Sequence, residues 1–204
     1  EPGRVKTRLA RQIGPERAAS LYKEMVETVV WKTAPRGEEY RQVLCFDPPG
    51  RRADFQRWLP GLDLHPQVNG DLGERMAAAF REGFSDRVII IGSDCVDVDR
   101  NLVIQAFQKL DRCDLVIGPA EDGGYYLIGM KNLRGELFSE IPWSTDQVLS
   151  MTLERAKTIG LNIEIKSVPG RTDLTPPPDR FAALLVAALD KAKLGPRTTI
   201  QSFD

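Results

Sequence analysis

Histidine and cysteine are both scarce in this 204-residue chain: there is one His and there are three Cys. The cysteines, Cys45, Cys95 and Cys113, are odd in number and show no Cys-x-x-Cys spacing. That pattern argues against a disulfide framework and against a structural zinc site, and it fits a reducing cytoplasm. A Ser–His or Cys–His relay would have to use His65, which sits in a Pro-rich stretch, so that chemistry is set aside. Neither charge sign dominates. With 28 Lys and Arg against 29 Asp and Glu the formal net charge is −1, and bulk electrostatics give no support for a nucleic-acid partner. No hydrophobic run approaches the roughly 18 residues of a membrane helix, and no secretory leader is visible, so no membrane span is expected.

What is present is the composition of an ordinary globular protein, 42% hydrophobic and 28% charged. A single α/β domain over residues 1–204 is the default for this length, with a core of useful size. Helical spacing predicts a turn and a helix over 4–30, then helices over 54–59, 74–84, 101–110, 146–158 and 181–192. Strands are predicted over 41–46, 87–91, 114–117, 125–129 and 163–168. Strands alternating with helices imply a mostly parallel central sheet flanked by helices, with right-handed crossovers.

Two stretches concentrate the chemistry. Residues 87–99 read RVIIIGSDCVDVD and residues 114–130 read DLVIGPAEDGGYYLIGM. Each is an apolar run suited to a strand buried on both faces, and each ends abruptly in glycine and carboxylate. Ligands of open α/β sheets bind outside the carboxyl ends of the strands. Asp94 and the Glu121–Asp122 pair therefore predict a polar crevice for a cation and a phosphate. A carboxylate just past a buried strand suits Mg²⁺ or Mn²⁺, hard cations that bridge phosphate oxygens. Asp97 or Asp99 is assigned instead to capping the helix that follows, and Cys95 to packing rather than nucleophilic attack.

Four further segments have both a functional and a plain reading. In Pro2 to Arg8, Gly3 permits close backbone approach while Arg4, Lys6 and Arg8 offer three cations for phosphates; a solvated helix start is the alternative. Lys6-Thr7 has the form of a P-loop ending, but the glycine spacing of that motif is missing. In Asn69 to Arg75, Gly70 and Asp71 open a helix whose amides could hold an anion, or Asp71 is simply a cap. In 118–124, Gly123 and Gly124 allow close approach beside Asp122, and Tyr125 and Tyr126 could stack on a base or sugar; a turn between strands needs glycine too. In 141–145, Trp143 either lines a pocket or belongs to a capping loop.

Taken in order, the segments PGRVKTRL, GDLGER, IGSDC, GPAEDGGYYLIG and PWST, with a late Asp-x-x-x-Pro, resemble a family of bacterial transferases. It is the family associated with radical-SAM and selenoprotein gene clusters, formerly a domain of unknown function, within the nucleotide-diphospho-sugar transferases. The resemblance spans nearly the whole chain and is most specific at 118–129. It implies a Rossmann-like glycosyltransferase-A fold, in which an additional strand is expected to run into Gly3.

By that resemblance Gly3, Arg4, Lys6, Thr7 and Arg8 grip the nucleotide phosphates, with Gly70, Asp71 and Ser93 also on the nucleotide side. Asp94 and Asp173 hold Mg²⁺ or Mn²⁺. Asp122, Gly123, Gly124, Tyr125 and Trp143 form the acceptor or sugar side, with Asp122 and Lys6 as catalytic residues. The family's late aspartate pair aligns with Asp173 and Thr175, so one acid is replaced, and Val96 stands where proline is usual.

Three functions follow from these residues: a metal-dependent glycosyltransferase using a nucleotide-diphospho-sugar and a small-molecule acceptor, a nucleotidylyltransferase using a nucleoside triphosphate and a phosphorylated acceptor, or a nucleotide-binding module without catalysis. A homodimer is one open outcome for the oligomeric state.

Overall fold

A computed structural model of the chain describes residues 1–82, 86–156, 161–165, 178–191 and 198–202. The chain gathers into two compact units. The first comprises Glu1–Pro66 with Gly92–Gln105, and the second Gln67–Ile91 with Ala106–Asp204. The chain leaves the first unit, returns to it and leaves again, so no linker marks the division in the sequence.

In the first unit the long helical stretch at the start is two helices, α1 (Thr7–Ile13) and α2 (Pro15–Lys32). They are separated by Gly14 at φ 87°, and Pro15 occupies the first turn of α2, where its missing N–H costs no helical bond. One face of α2 buries Ala18, Val26 and Val29. Strands β1 (Val43–Phe46) and β2 (Asp63–Pro66) pair in parallel, Val43 opposite Asp63 and Phe46 opposite Pro66. A short 3-10 turn (Pro49–Arg51) and α3 (Arg52–Trp58) connect them. Phe46, Phe55 and Trp58 pack in series, with ring centroids 4.9 and 5.9 Å apart. The Trp58 indole N–H donates to Glu27 Oε1 at 2.6 Å, as a part-buried indole should. Strand β2 departs from the sequence expectation. His65 and Pro66 read as loop residues, yet Pro66 ends β2, an edge strand of the two-stranded sheet, where proline is tolerated.

The second unit contains α4 (Leu72–Arg81), β3 (Val88–Ile91), the end of α5 (Arg100–Leu110), β4 (Leu115–Pro119), β5 (Tyr125–Met130), a 3-10 turn (Gly135–Phe138), α6 (Val148–Arg155), β6 (Leu161–Ile165), α7 (Pro178–Lys191) and β7 (Thr198–Ser202). Its five-stranded sheet has the order β3-β5-β4-β6-β7. Strands β4, β6 and β7 pair in parallel, whereas β5 is antiparallel to both β3 and β4. The expected mostly parallel sheet is thus a mixed one: four strands share a direction and β5 runs against them. The reason is the length of the connection. Only residues 120–124 separate β4 from β5, enough for a hairpin, whereas a parallel return needs a crossover of about a dozen residues.

Strand β4 is buried along its whole length, as its apolar run predicts. Strand β3 is half-buried despite its three isoleucines, because it lies at the edge of the described sheet with β5 as its one partner. The core unites Leu115, Ile117, Ile128 and Met130 of the sheet with Met76 and Phe80 of α4, Leu153 of α6, and Leu185 and Leu189 of α7. Each fully buried aliphatic side chain contributes about 1.5–3 kcal/mol of transfer free energy. Phe80 stacks on Phe138 with ring centroids 5.9 Å apart. Among the described residues no helix is long and apolar enough to cross a membrane.

Candidate functional site

In the first unit, the basic start and the Gly-Ser-Asp loop meet. Gly3 and Lys6 both have positive φ, 79° and 47°, and Lys6 is the residue at which the chain turns into α1. A left-handed conformation costs a non-glycine residue about 1–2 kcal/mol, and it survives where surrounding contacts enforce it. The Lys6 side chain makes an ion pair at this turn: Lys6 Nζ donates to Asp94 Oδ2. The side chains are 32% and 38% exposed, so the pair's worth to folding is discounted by solvent to less than about 1 kcal/mol.

The same ammonium lies 5.5 Å from the centroid of the Tyr22 ring, within cation–π range. The Tyr22 hydroxyl shares a 2.6 Å hydrogen bond with Ser93 Oγ. Lys32 Nζ donates to the Val96 carbonyl at 2.7 Å, so two residues of α2 hold the 93–96 loop. Two consecutive turns shape that loop, with Cys95 N–H donating to Gly92 O at 3.2 Å and Val98 N–H to Cys95 O at 3.0 Å. Asp99 then caps α5 by accepting from Leu102 N–H at 2.9 Å. Lys6 and Ser93, expected at the nucleotide, and Asp94, expected at the metal, are brought together in the structure. No motif singles out Tyr22, which lies within the helix predicted over 4–30, or Lys32, which lies just past it. Of the other two cations, Arg4 lies 4.0 Å from Glu1, and Arg8 is exposed on α1 beside exposed Thr7.

In the second unit, the Glu-Asp-Gly-Gly stretch is the hairpin turn between β4 and β5. Asp122 Oδ1 accepts from Gly124 N–H at 3.1 Å, a side chain-to-backbone bond that steadies the turn. Gly123 has φ 82°, and a Cβ there would run into the backbone of Asp146. Its carbonyl accepts from Leu149 N–H at 2.7 Å, tying the turn to the start of α6. Glu121 and Asp122 remain exposed at the tip. The ends of β3 and β4 are level, since Ile91 and Gly118 both pair with Leu127, from opposite sides. Asp94 follows Ile91 by three positions and Asp122 follows Gly118 by four.

The remaining candidates of this unit have structural tasks. Asp71 Oδ1 accepts from Glu74 N–H at 2.8 Å while Glu74 Oε2 accepts from Asp71 N–H at 2.8 Å. This reciprocal capping box satisfies the first turn of α4, and Gly70, at φ 133°, lies under the Glu74 carboxylate. Trp143 packs against the hydrophobic core, with its ring over Gly73. Tyr125 packs there as well. Burial pushes its hydroxyl pKa up to about 12, and the Thr152 hydroxyl nearby only partly opposes that shift.

Among the described residues no group of three or more His, Cys, Asp or Glu side chains is arranged to hold a metal ion. Asp94 is a single carboxylate at a strand-end loop. Asp173, expected as a second ligand, and Thr175 lie outside the described residues.

No curated protein matches the chain. Its fold is similar to a crystal structure from Desulfovibrio desulfuricans G20 that bears the name "putative nucleotide-diphospho-sugar transferase", with a TM-score of 0.74 and 30% sequence identity over 98% of this chain and 94% of that one. Residues 30–145 match the family described as uncharacterized protein conserved in bacteria (DUF2064). That match takes in both the Gly-Ser-Asp loop and the Glu-Asp-Gly-Gly hairpin, and Lys6 lies ahead of it. The chain belongs to the DUF2064 family.

Proposed function

We propose that this chain is a transferase that takes a nucleotide-diphospho-sugar as donor and passes its glycosyl group to a small-molecule acceptor, on a Rossmann-like glycosyltransferase-A scaffold. The observation that carries this reading is the Lys6–Asp94 pair, in which a cation at the start of α1 sits beside the carboxylate of the loop that follows β3. Likeness to the Desulfovibrio structure supports the donor class. The level ends of β3 and β4 support the scaffold, because ligands of α/β sheets bind beyond such ends.

A divalent cation suits Asp94 under one condition. The carboxylate is a hard oxygen donor and is 38% exposed, so other ligands can reach a cation placed on it. Mg²⁺ is commonly held by one or two carboxylates with substrate phosphate oxygens completing its shell. The described residues therefore fit Mg²⁺ or Mn²⁺ bound together with a diphosphate, and they do not fit a cage built from protein alone. When bound, the cation would neutralise charge on the diphosphate leaving group.

The chain's own residues would do the rest. Breaking the bond between the anomeric carbon and the diphosphate oxygen leaves the electron pair on the diphosphate. Lys6 would donate to that developing charge, with Arg4 and Arg8 on the same segment as further cations. Preorganised charge of this kind acts without reorganisation during the step. Asp122, its Oδ1 held by Gly124 N–H, would accept the proton of the acceptor hydroxyl as that oxygen attacks the sugar.

Release of nucleoside diphosphate from a panel of nucleotide-sugars in the presence of Mn²⁺ tests this. Turnover should be lost in Asp94→Asn and reduced at least about a hundredfold in Asp122→Asn, the range expected for loss of a positioned base. Pyrophosphate release from a nucleoside triphosphate and a phosphorylated acceptor, with no turnover of nucleotide-sugars, would replace glycosyl transfer by nucleotidyl transfer. Nucleotide binding without turnover of any donor would leave a binding module.

A further inference from the structure

Lys6 and a divalent cation would compete for the same carboxylate, that of Asp94. The ammonium already donates to Asp94 Oδ2, and its location is not accidental. The backbone at Lys6 is held at φ 47°, the Tyr22 ring lies 5.5 Å from Nζ, and Ser93, next to Asp94, fixes the Tyr22 hydroxyl at 2.6 Å. Tyr22 thus keeps the ammonium close to the one carboxylate of the Gly-Ser-Asp loop. A divalent cation arriving alone meets a carboxylate whose charge is already compensated, and it meets a positive charge at ion-pair distance. Both effects oppose its binding.

A diphosphate changes that balance. Its oxygens are better partners for an ammonium than a single shared carboxylate, since they carry more charge and more acceptor sites. Once Lys6 turns to the diphosphate, Asp94 is released to the metal, and the diphosphate supplies the remaining metal ligands.

We infer that Lys6 is the resident counter-ion of Asp94 and makes metal and diphosphate bind as a coupled pair: the free protein rejects the metal until a nucleoside diphosphate takes the ammonium away. This inference rests on the reading of Asp94 as the metal ligand. By linkage the coupling is reciprocal, so the metal must raise nucleotide affinity by the factor by which nucleotide raises metal affinity.

The test measures Mn²⁺ binding to the nucleotide-free chain by the loss of the free Mn²⁺ electron paramagnetic signal, for wild type, Lys6→Met, Lys6→Arg and Asp94→Asn. Lys6→Met keeps the length of the side chain and removes its charge. It should bind Mn²⁺ about tenfold more tightly than wild type, an effect of the size expected for removing one neighbouring charge. Lys6→Arg keeps the charge and should stay as weak as wild type. Asp94→Asn should bind none.

Thermal stabilisation by ADP, GDP, CDP and UDP, each with and without Mn²⁺, supplies the second arm. Mn²⁺ should enhance the stabilisation by the preferred nucleotide in wild type, and the enhancement should shrink in Lys6→Met. Equal nucleotide-free Mn²⁺ affinity in wild type and Lys6→Met, with Asp94→Asn still losing the nucleotide-dependent effect, overturns the coupling and leaves the donor-site reading standing. Mn²⁺ indifference of every variant in both arms overturns both.

Discussion

Trp143 occupies the space in which residue 73 would carry a side chain: a Cβ on Gly73 would stand 2.7 Å from the Trp143 ring and 2.9 Å from the Phe138 carbonyl. Gly73 lies in the first turn of α4 and is buried, so the helix meets this indole through bare backbone. Helix propensity alone would favour Gly73→Ala by about 1 kcal/mol. Steric crowding against a ring and a carbonyl should outweigh it, as overpacking costs about 1–3 kcal/mol. Urea unfolding of Gly73→Ala should therefore show a lowered midpoint, and a raised midpoint would mean that Trp143 is free to move aside.

Asp71 separates capping from ligand binding. Asp71→Ala removes one half of the box with Glu74 and should cost about 1 kcal/mol of stability. Nucleotide affinity, read by calorimetry, should not change. A loss of affinity without a loss of stability would place Asp71 in the nucleotide site.

Tyr125 asks the same question of the acceptor side. Its hydroxyl is buried and has no well-formed hydrogen bond, nor does that of Thr152. Removing a buried hydroxyl that has no partner leaves no group newly unsatisfied, so the cost of an unmade hydrogen bond does not arise. Tyr125→Phe should hold wild-type stability within about 0.5 kcal/mol and keep wild-type turnover. A large fall in kcat with unchanged stability would place the hydroxyl in the acceptor site.

Glu39 offers a test in acid. The Arg100 guanidinium hydrogen-bonded to it, joined by backbone donors including Gly37 N–H, holds its carboxyl down from 4.5 to about 2. A carboxylate with a depressed native pKa contributes its full stability above the unfolded value, and loses it as pH falls through the folded one. The loss belongs between about pH 4.5 and pH 2. Carbon-detected titration of Glu39 should show the low midpoint in wild type and a return towards 4.5 in Arg100→Met. An unshifted midpoint in wild type would show that the pair does not persist in solution.

Elements with a strong periodic pattern are legible in the amino-acid sequence. The apolar run at 115–117 forms a strand buried on both faces, Asp99 is the one of the two candidate aspartates that accepts from Leu102 N–H, and α4 begins at Leu72, two residues ahead of the predicted start. Elements set by their partners are not legible in this way. Strand β2 reads as a loop because His65 and Pro66 carry no strand pattern, and its pairing with β1 is what makes it a strand. Strand β7 escapes for the same reason, since its pairing with β6 defines it. The Glu-Asp-Gly-Gly stretch is legible as glycine beside carboxylate, yet only the hairpin shows that Gly123 serves the contact with Asp146.

From its residues alone this chain determined an α/β composition, the places where apolar strands end in acid, and a basic segment near Gly3. These are properties of neighbouring positions, and periodicity and turn chemistry report them. Tertiary structure decided which of those groups meet. It reversed β5, committed Asp71 to a cap and Trp143 to the core, and set Lys6 on Asp94 across 88 positions. Contacts over such separations depend on how the whole chain packs, and no local pattern encodes them.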